Sequence, residues 1–189
     1  MVMIIAIHGR AGSGKSSVAK ALAKKLGFRH YSIGDLRRRM ACERGLTLAE
    51  FNKLGERESF TDEEVDRFQE QLGKSEDNFV IDGRTCFHFI PQSVKIYLYA
   101  KPAVRAQRVF ADERKTERFK SLEEVRKALA ERERSDERRY RKYYNLDVHD
   151  RKNFDLFIDT TNIPVEEVVG RIMEFLEKRK VTESGTQRS

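Results

Sequence analysis

Five short apolar runs, Met3–His8, Arg29–Ser32, Asn78–Ile81, Val94–Tyr99 and Leu156–Asp159, punctuate the chain. Runs of this length, separated by polar segments, read as strands. The intervals have a different period. Behind the first run, Val18, Leu22 and Leu26 recur at helical spacing, and Val165, Val168, Val169, Ile172, Phe175 and Leu176 make a longer stripe near the end. Thr47-x-x-Glu50, Thr61-x-x-Glu64 and Ser121-x-x-Glu124 fit the capping box, in which two side chains satisfy the free N–H groups of a helix start. Pro164 suits a first turn, where its missing N–H is not needed. Strands alternating with helices predict an α/β fold, a five-stranded parallel sheet with helices on both faces.

One domain is expected over residues 1–180, with residues 181–189, polar and without apolar anchors, as a disordered tail. Two stretches interrupt the alternation. Residues 35–74 add several helices between the second and third strands, and residues 113–150 include a long Arg-dense helix between the fourth and fifth. Ligands of open parallel sheets bind beyond the carboxyl ends of the strands. Each stretch leaves from such an end, so one is expected to hold an acceptor and the other to close as a lid.

Composition narrows the partners. At 189 residues the chain suits one domain with a sizeable core, though 39% hydrophobic against 37% charged residues implies long solvated helices. The net charge of +7 is concentrated in the Arg-dense stretch 101–151. A basic surface suits nucleic acid or small polyphosphates. Cys42 and Cys86 form neither a disulfide framework nor a metal-binding spacing. His8, His30, His88 and His149 contain no i, i+4 pair and are assigned to no metal. The first apolar run is too short for a signal peptide and nothing approaches a membrane span, so a cytoplasmic location is expected.

The candidate chemistry begins at Gly9-Arg10-Ala11-Gly12-Ser13-Gly14-Lys15-Ser16, followed by Ser17, which satisfies G-x-x-x-x-G-K-[ST] between a strand and a helix. Glycines let backbone N–H groups turn inward around a polyphosphate, and the helix N-terminus adds positive potential. Lys15 is expected to bridge the outer phosphates of ATP and Ser16 to hold Mg2+. Three arginine-bearing clusters follow: Ser32-Ile33-Gly34-Asp35-Leu36-Arg37-Arg38, Asp82-Gly83-Arg84 and Arg132-x-x-x-Asp136-x-x-Arg139. The last falls on one helical face.

Together these clusters resemble a nucleoside monophosphate kinase of the P-loop NTPase superfamily, closest to the short cytidylate kinases. Lys25-Leu26-Gly27-Phe28, Val94-Lys95-Ile96-Tyr97-Leu98 and Arg139-Tyr140 with Tyr144-Asn145-Leu146-Asp147 extend the resemblance over about residues 3 to 176. It implies an acceptor-binding arm and an Arg-bearing helical lid. Arg38, Arg84 and Arg139 match positions that hold the acceptor phosphate, with Asp35 beside Arg38 and Asp136 touching acceptor or lid. Arg132 matches the position facing the transferred phosphoryl. Lys15, Arg132, Arg139 and Asp82 form the expected catalytic set, with Ser16 and Asp82 towards the metal.

The chain departs from this pattern at Arg37, where an aromatic or apolar residue is usual, at Asp82, where the short forms often carry Glu, and throughout Thr85–Pro91. These positions are read as bordering the acceptor base, with Cys86, Phe87 and Phe89 making that pocket apolar. Asp62, Asp66, Arg67 and Gln69 resemble part of the acceptor arm but are read as an exposed capped helix. The expected reaction is transfer from ATP to CMP or dCMP by a monomer whose partners are nucleotides, without membrane or nucleic acid. A phosphate acceptor needs no general base, consistent with many arginines and few bases. Two other readings stay open: a kinase for a hydroxyl acceptor with Asp35 or Asp82 as base, and a nucleotide-dependent switch on RNA or a ribosomal surface.

Overall fold

β1 (Ile4–His8) is buried along its whole length, and its residues divide by parity. Ile5 and Ile7 enter a core with Val18, Leu22, Leu98 and Ile172, whereas Ile4 and Ala6 join Met40, Phe51, Phe79 and Ile81 on the opposite face. This is the period of a strand covered on both sides. In the computed structural model, which describes residues 3–112 and 119–186, β1 lies between β3 (Phe79–Asp82) and β4 (Val94–Tyr99), with β2 (Arg29–Ser32) and β5 (Leu156–Asp159) at the edges. The order is β2-β3-β1-β4-β5 and every pairing is parallel. The expected sheet is present.

α1 (Lys15–Leu26) and α8 (Val165–Thr186) cover one face, and α2 (Ile33–Glu43), α3 (Leu48–Gly55) and α4 (Phe60–Ser75) the other. The short α5 (Cys86–Phe89) follows β3. α6 (Pro102–Ala111) and the long α7 (Leu122–Tyr144) pack together through Ala106, Val125 and Leu129, with Ala11 of the glycine-rich loop against them. Thus α2–α4 occupy the expected arm and α7 the expected lid helix. Residues 113–118, the start of the expected lid region, lie outside the described residues.

Several boundaries differ from the sequence expectation. Asn78 has φ +56°, incompatible with a strand, so β3 starts at Phe79 and runs to Asp82. Thr47 and Glu50 form a complete capping box. Thr61 does not: α4 begins one residue before it, Ser59 takes the cap position, and the buried Thr61 hydroxyl turns to Asp62 instead. At α7, Ser121 accepts from the Glu124 N–H, but Glu124 reaches back to the N–H of Lys120. α8 continues to Thr186, into the stretch expected to lack structure. Val181 and Glu183 are compatible with a helix, and no proline interrupts the stretch.

Candidate active site

The sheet's carboxyl edge opens into a cavity of about 820 Å³ that combines the glycine-rich loop with the ends of β2 and β3, the arm and the lid helix. The loop needs its glycines. Gly9 and Gly12 have φ +145° and +80°, and a Cβ would lie 2.3 Å from the Leu98 carbonyl oxygen at Gly9 and 2.5 Å from that of Arg105 at Gly12. No other residue fits. Gly14 caps α1 without a side-chain hydrogen bond, so the first-turn N–H groups are not competed for by a capping side chain.

Lys15 donates to the Arg10 carbonyl at 3.3 Å. Burial, then the neighbouring Arg84, pulls its ammonium down to about 7; a bound polyphosphate reverses that balance. Ser16 donates to Asp82 Oδ2 at 2.8 Å. The other Asp82 oxygen meets His30 Nε2 at 2.8 Å, and Ser32 donates to Oδ2 at 3.4 Å. Ser32 is in register with Asp82 and His30 lies two residues back on the same strand face. His30 was not expected at the site; the period-two relation to Ser32 is the signal that could have marked it.

The four arginine positions divide into two layers. Arg38, Arg84 and Arg132 line the cavity, as does Arg37. Arg38 pairs with Asp35 of its own first turn. Arg84 Nε meets Asp136 Oδ2 at 2.9 Å. Arg139 stands behind, fully buried, paired with both Asp62 and Asp136. Burial alone raises the Asp136 carboxyl, but Arg84, Arg139, Arg132 and Arg37 together hold it below the usual range. Asp62, Asp66 and Gln69 are buried, not exposed: Asp62 serves Arg37 and Arg139, while Gln69 bonds Thr85 at 3.1 Å. Buried arginines of α2 and α7 require carboxylates opposite, and Asp62 of α4 supplies one while Asp136 of α7 supplies the other. Arg37 lines the cavity in company with Arg38 and Arg84. Cys86 and Phe87 are core residues, in separate apolar clusters, and do not line the cavity.

Arg10, within the loop, pairs with Glu133 and Glu137 of α7. Arg105 also pairs with Glu133 and donates to the Ala11 carbonyl at 3.3 Å. Thr160, at the end of β5, donates to the Ser13 carbonyl at 2.9 Å, and Arg108 holds the Thr160 carbonyl at 2.6 Å. Glu133, Arg105 and Thr160 were not expected at the site. Glu133 lies hidden among arginines of similar spacing, so no motif marks it. Ser13 and Ala11 are buried, while Ser17 is exposed and lines the cavity.

The chain is similar in sequence and in fold to known proteins. Residues 4–162 match the model described as the Cytidylate kinase-like family. The chain is 37% identical over 164 residues to a cytidylate kinase of Methanothermobacter thermautotrophicus, covering 87% of this chain and 99% of that one. It is 39% identical over 163 residues to a cytidylate kinase of Natronomonas pharaonis, covering 85% and 82%. Among solved structures, a shikimate kinase from Acinetobacter baumannii matches with a TM-score of 0.62 at 18% identity, covering 95% and 96%, a likeness of fold alone. The family model over most of the chain, relatives at this identity and the complete phosphate-loop motif agree: the chain belongs to the cytidylate kinase-like family.

Proposed function

We propose that the protein transfers the γ-phosphoryl of ATP to a nucleoside monophosphate, CMP or dCMP first, giving the diphosphate and ADP. The observation that carries this reading is one cavity wall bearing Lys15, Arg37, Arg38, Arg84 and Arg132 together with the phosphate loop. A monophosphate's second pKa is about 6, so its attacking oxygen is already ionised at neutral pH. Alignment and charge neutralisation then suffice, and no base is needed. Asp35 and Asp82 are engaged by Arg38, Ser16 and His30, which disfavours their use as a base for a hydroxyl acceptor.

Gly9 to Ser17 would cradle the ATP phosphates through backbone N–H groups, with Lys15 along the outer phosphates. Ser16 and Asp82 fit a magnesium ion: they are adjacent hard oxygen donors, and magnesium completes its shell with water and substrate phosphate. When bound, that ion neutralises phosphate charge. Arg38 and Arg84 would hold the acceptor phosphate, each guanidinium offering a planar fork. Arg132 would face the migrating group. Arg139 and Asp136 would align Arg84 and Asp62 from behind and enter the site as the lid moves. Burial under α7 excludes water that would otherwise hydrolyse ATP.

Among the described residues no helix is long and apolar enough to cross a membrane. Arg37, Arg84 and Arg139 are turned inward, away from the accessible surface that RNA binding needs, although Arg134, Arg138 and Arg141 of α7 are exposed. The test is ADP formation by the purified protein across CMP, dCMP, UMP, AMP and GMP, with neutral hydroxyl acceptors as a separate panel. CMP and dCMP are expected to give the highest kcat/KM. AMP leading would move the acceptor assignment to another base, and turnover only with a hydroxyl acceptor would replace the reading.

A further inference from the structure

Arg37 is a buried guanidinium in a fixed pose with one nitrogen unspent. Its side chain is 7% exposed. Nε donates to Asn52 Oδ1 at 3.2 Å, and Nη1 donates to the Thr61 carbonyl at 3.1 Å and to Asp62 Oδ1 at 2.9 Å. The plane lies over the Phe51 ring at 5.1 Å. Nη2 has no hydrogen-bond partner among the described residues, although Arg37 lines the cavity beside Arg38, Gly34 and Arg84. A buried N–H pair left unsatisfied is costly unless a ligand completes it.

Charge gives a second, independent reason. Among the described residues, Arg37, Arg84 and Arg139 share only Asp62 and Asp136 as close carboxylate partners. Asp66 does not supply a full counter-charge, because burial, with Asp62 nearby, pushes its carboxyl up to about 7 even though the Tyr144 hydroxyl donates to it. Burial and the neighbouring Arg139 both disfavour the charged form of Arg37. The cluster therefore carries surplus positive charge next to the cavity. An anion in the cavity relieves it.

We propose that Arg37 is a further acceptor-binding residue, whose Nη2 donates to an oxygen of the acceptor's phosphate alongside Arg38 and Arg84. This rests on the reading of the acceptor as a phosphate monoester. Asn52, Thr61 and Asp62 hold the fork in place beforehand, so little side-chain freedom is lost on binding. Arg37 also ties the phosphate to α3 and α4, so the arm senses the occupied site through the same guanidinium.

The test compares wild type with Arg37→Lys, which keeps a positive charge beside Asp62 but lacks Nη2, and with Arg37→Met. Melting temperature and the KM for ATP report whether each variant remains folded with an intact loop. The KM for CMP is expected to rise about tenfold or more in either folded variant, the scale of one charge-assisted hydrogen bond, with the KM for ATP within about twofold. Inorganic phosphate, as competitor of CMP, is expected to weaken by a similar factor, whereas cytidine binding changes little. Should Arg37→Met fail to fold, Arg37→Lys alone decides. An unchanged KM for CMP in folded Arg37→Lys overturns the proposal and leaves Arg37 a counter-ion of Asp62. If wild type turns over no monophosphate, the acceptor reading fails separately. Direct calorimetry with inorganic phosphate then decides the role of Arg37: weaker binding in Arg37→Lys supports it, and equal binding overturns it.

Discussion

Glu133 of α7 pairs with Arg10 of the glycine-rich loop, so the helix that carries Arg132 is fastened to that loop. The same carboxylate takes Arg105, which braces the loop at the Ala11 carbonyl. One side chain thereby joins α6, α7 and the loop. Arg10 occupies a variable place in the loop's motif, and in this structure its guanidinium serves the lid.

Glu133→Gln should therefore lower kcat more than it raises either KM. The amide keeps the shape but removes the charge that holds two arginines, and Arg132 loses its alignment. The expected loss is about tenfold in kcat, which is about 1.4 kcal/mol of barrier, with both KM values within about threefold. Steady-state kinetics on the purified variant measure it. A kcat equal to wild type would make the pairing a packing feature only.

Lys15→Ala should abolish transfer while leaving the fold intact. Lys15 makes one long contact, to the Arg10 carbonyl, and its buried ammonium is disfavoured in the absence of ligand. Removing it costs the fold little, whereas the phosphates lose their nearest flexible cation. Melting temperature within a few degrees of wild type, with turnover down by more than about 1,000-fold, is expected. Turnover within about tenfold of wild type removes the loop lysine from the mechanism.

Much of this architecture is legible from pattern alone. The parity of Ile4 to Ile7 and the spacing of Val18 and Leu22 fix the sheet's two covered faces, and the loop motif locates the phosphate end. What the pattern hides is pairing. Asp62 and Asp66 follow a helix start and look solvated, yet the arginines of α2 and α7 fold over Asp62, and Tyr144 of α7 over Asp66. Charge partners distant in sequence leave no periodic trace, so Arg37 reads as an anomaly until Asn52 and Asp62 are seen beside it. Thr61 misleads for the opposite reason: its local capping pattern is real, but tertiary burial claims the hydroxyl.

Asp66 gives the pH dependence a sign. An aspartate of ordinary pKa 3.8 is pushed up to about 7 here, chiefly by burial, with Asp62 and Glu70 adding to it and Arg37 and the Tyr144 hydroxyl opposing it. The folded state thus keeps a proton that the unfolded chain releases. Its contribution is most favourable below about pH 4 and is lost as pH rises through about 7. Asp66→Asn removes the titration. Relative to wild type the variant should gain stability, on the order of 2 kcal/mol, between pH 5 and pH 8. Urea unfolding at both pH values measures the difference, and parallel pH profiles for the two proteins would place Asp66 outside this account.

Arg84→Lys should damage acceptor binding more than ATP binding. Arg84 leaves β3 directly after Asp82 and Gly83, lines the cavity, and commits only its Nε to Asp136 at 2.9 Å. Its Nη2 has no hydrogen-bond partner among the described residues. A lysine can keep the charge near Asp136, but it cannot keep that contact and present a second, coplanar donor to a phosphate. The KM for CMP should rise at least about tenfold, on the scale of one charge-assisted hydrogen bond, while the KM for ATP stays within about threefold. Melting temperature controls for loss of the Asp136 pairing, which is half of what the substitution disturbs. The ratio of the two KM changes is the deciding quantity. Equal changes in both, or none in either, would return Asp82-Gly83-Arg84 to an ordinary turn at a strand end and leave Arg38 as the principal anchor of the acceptor.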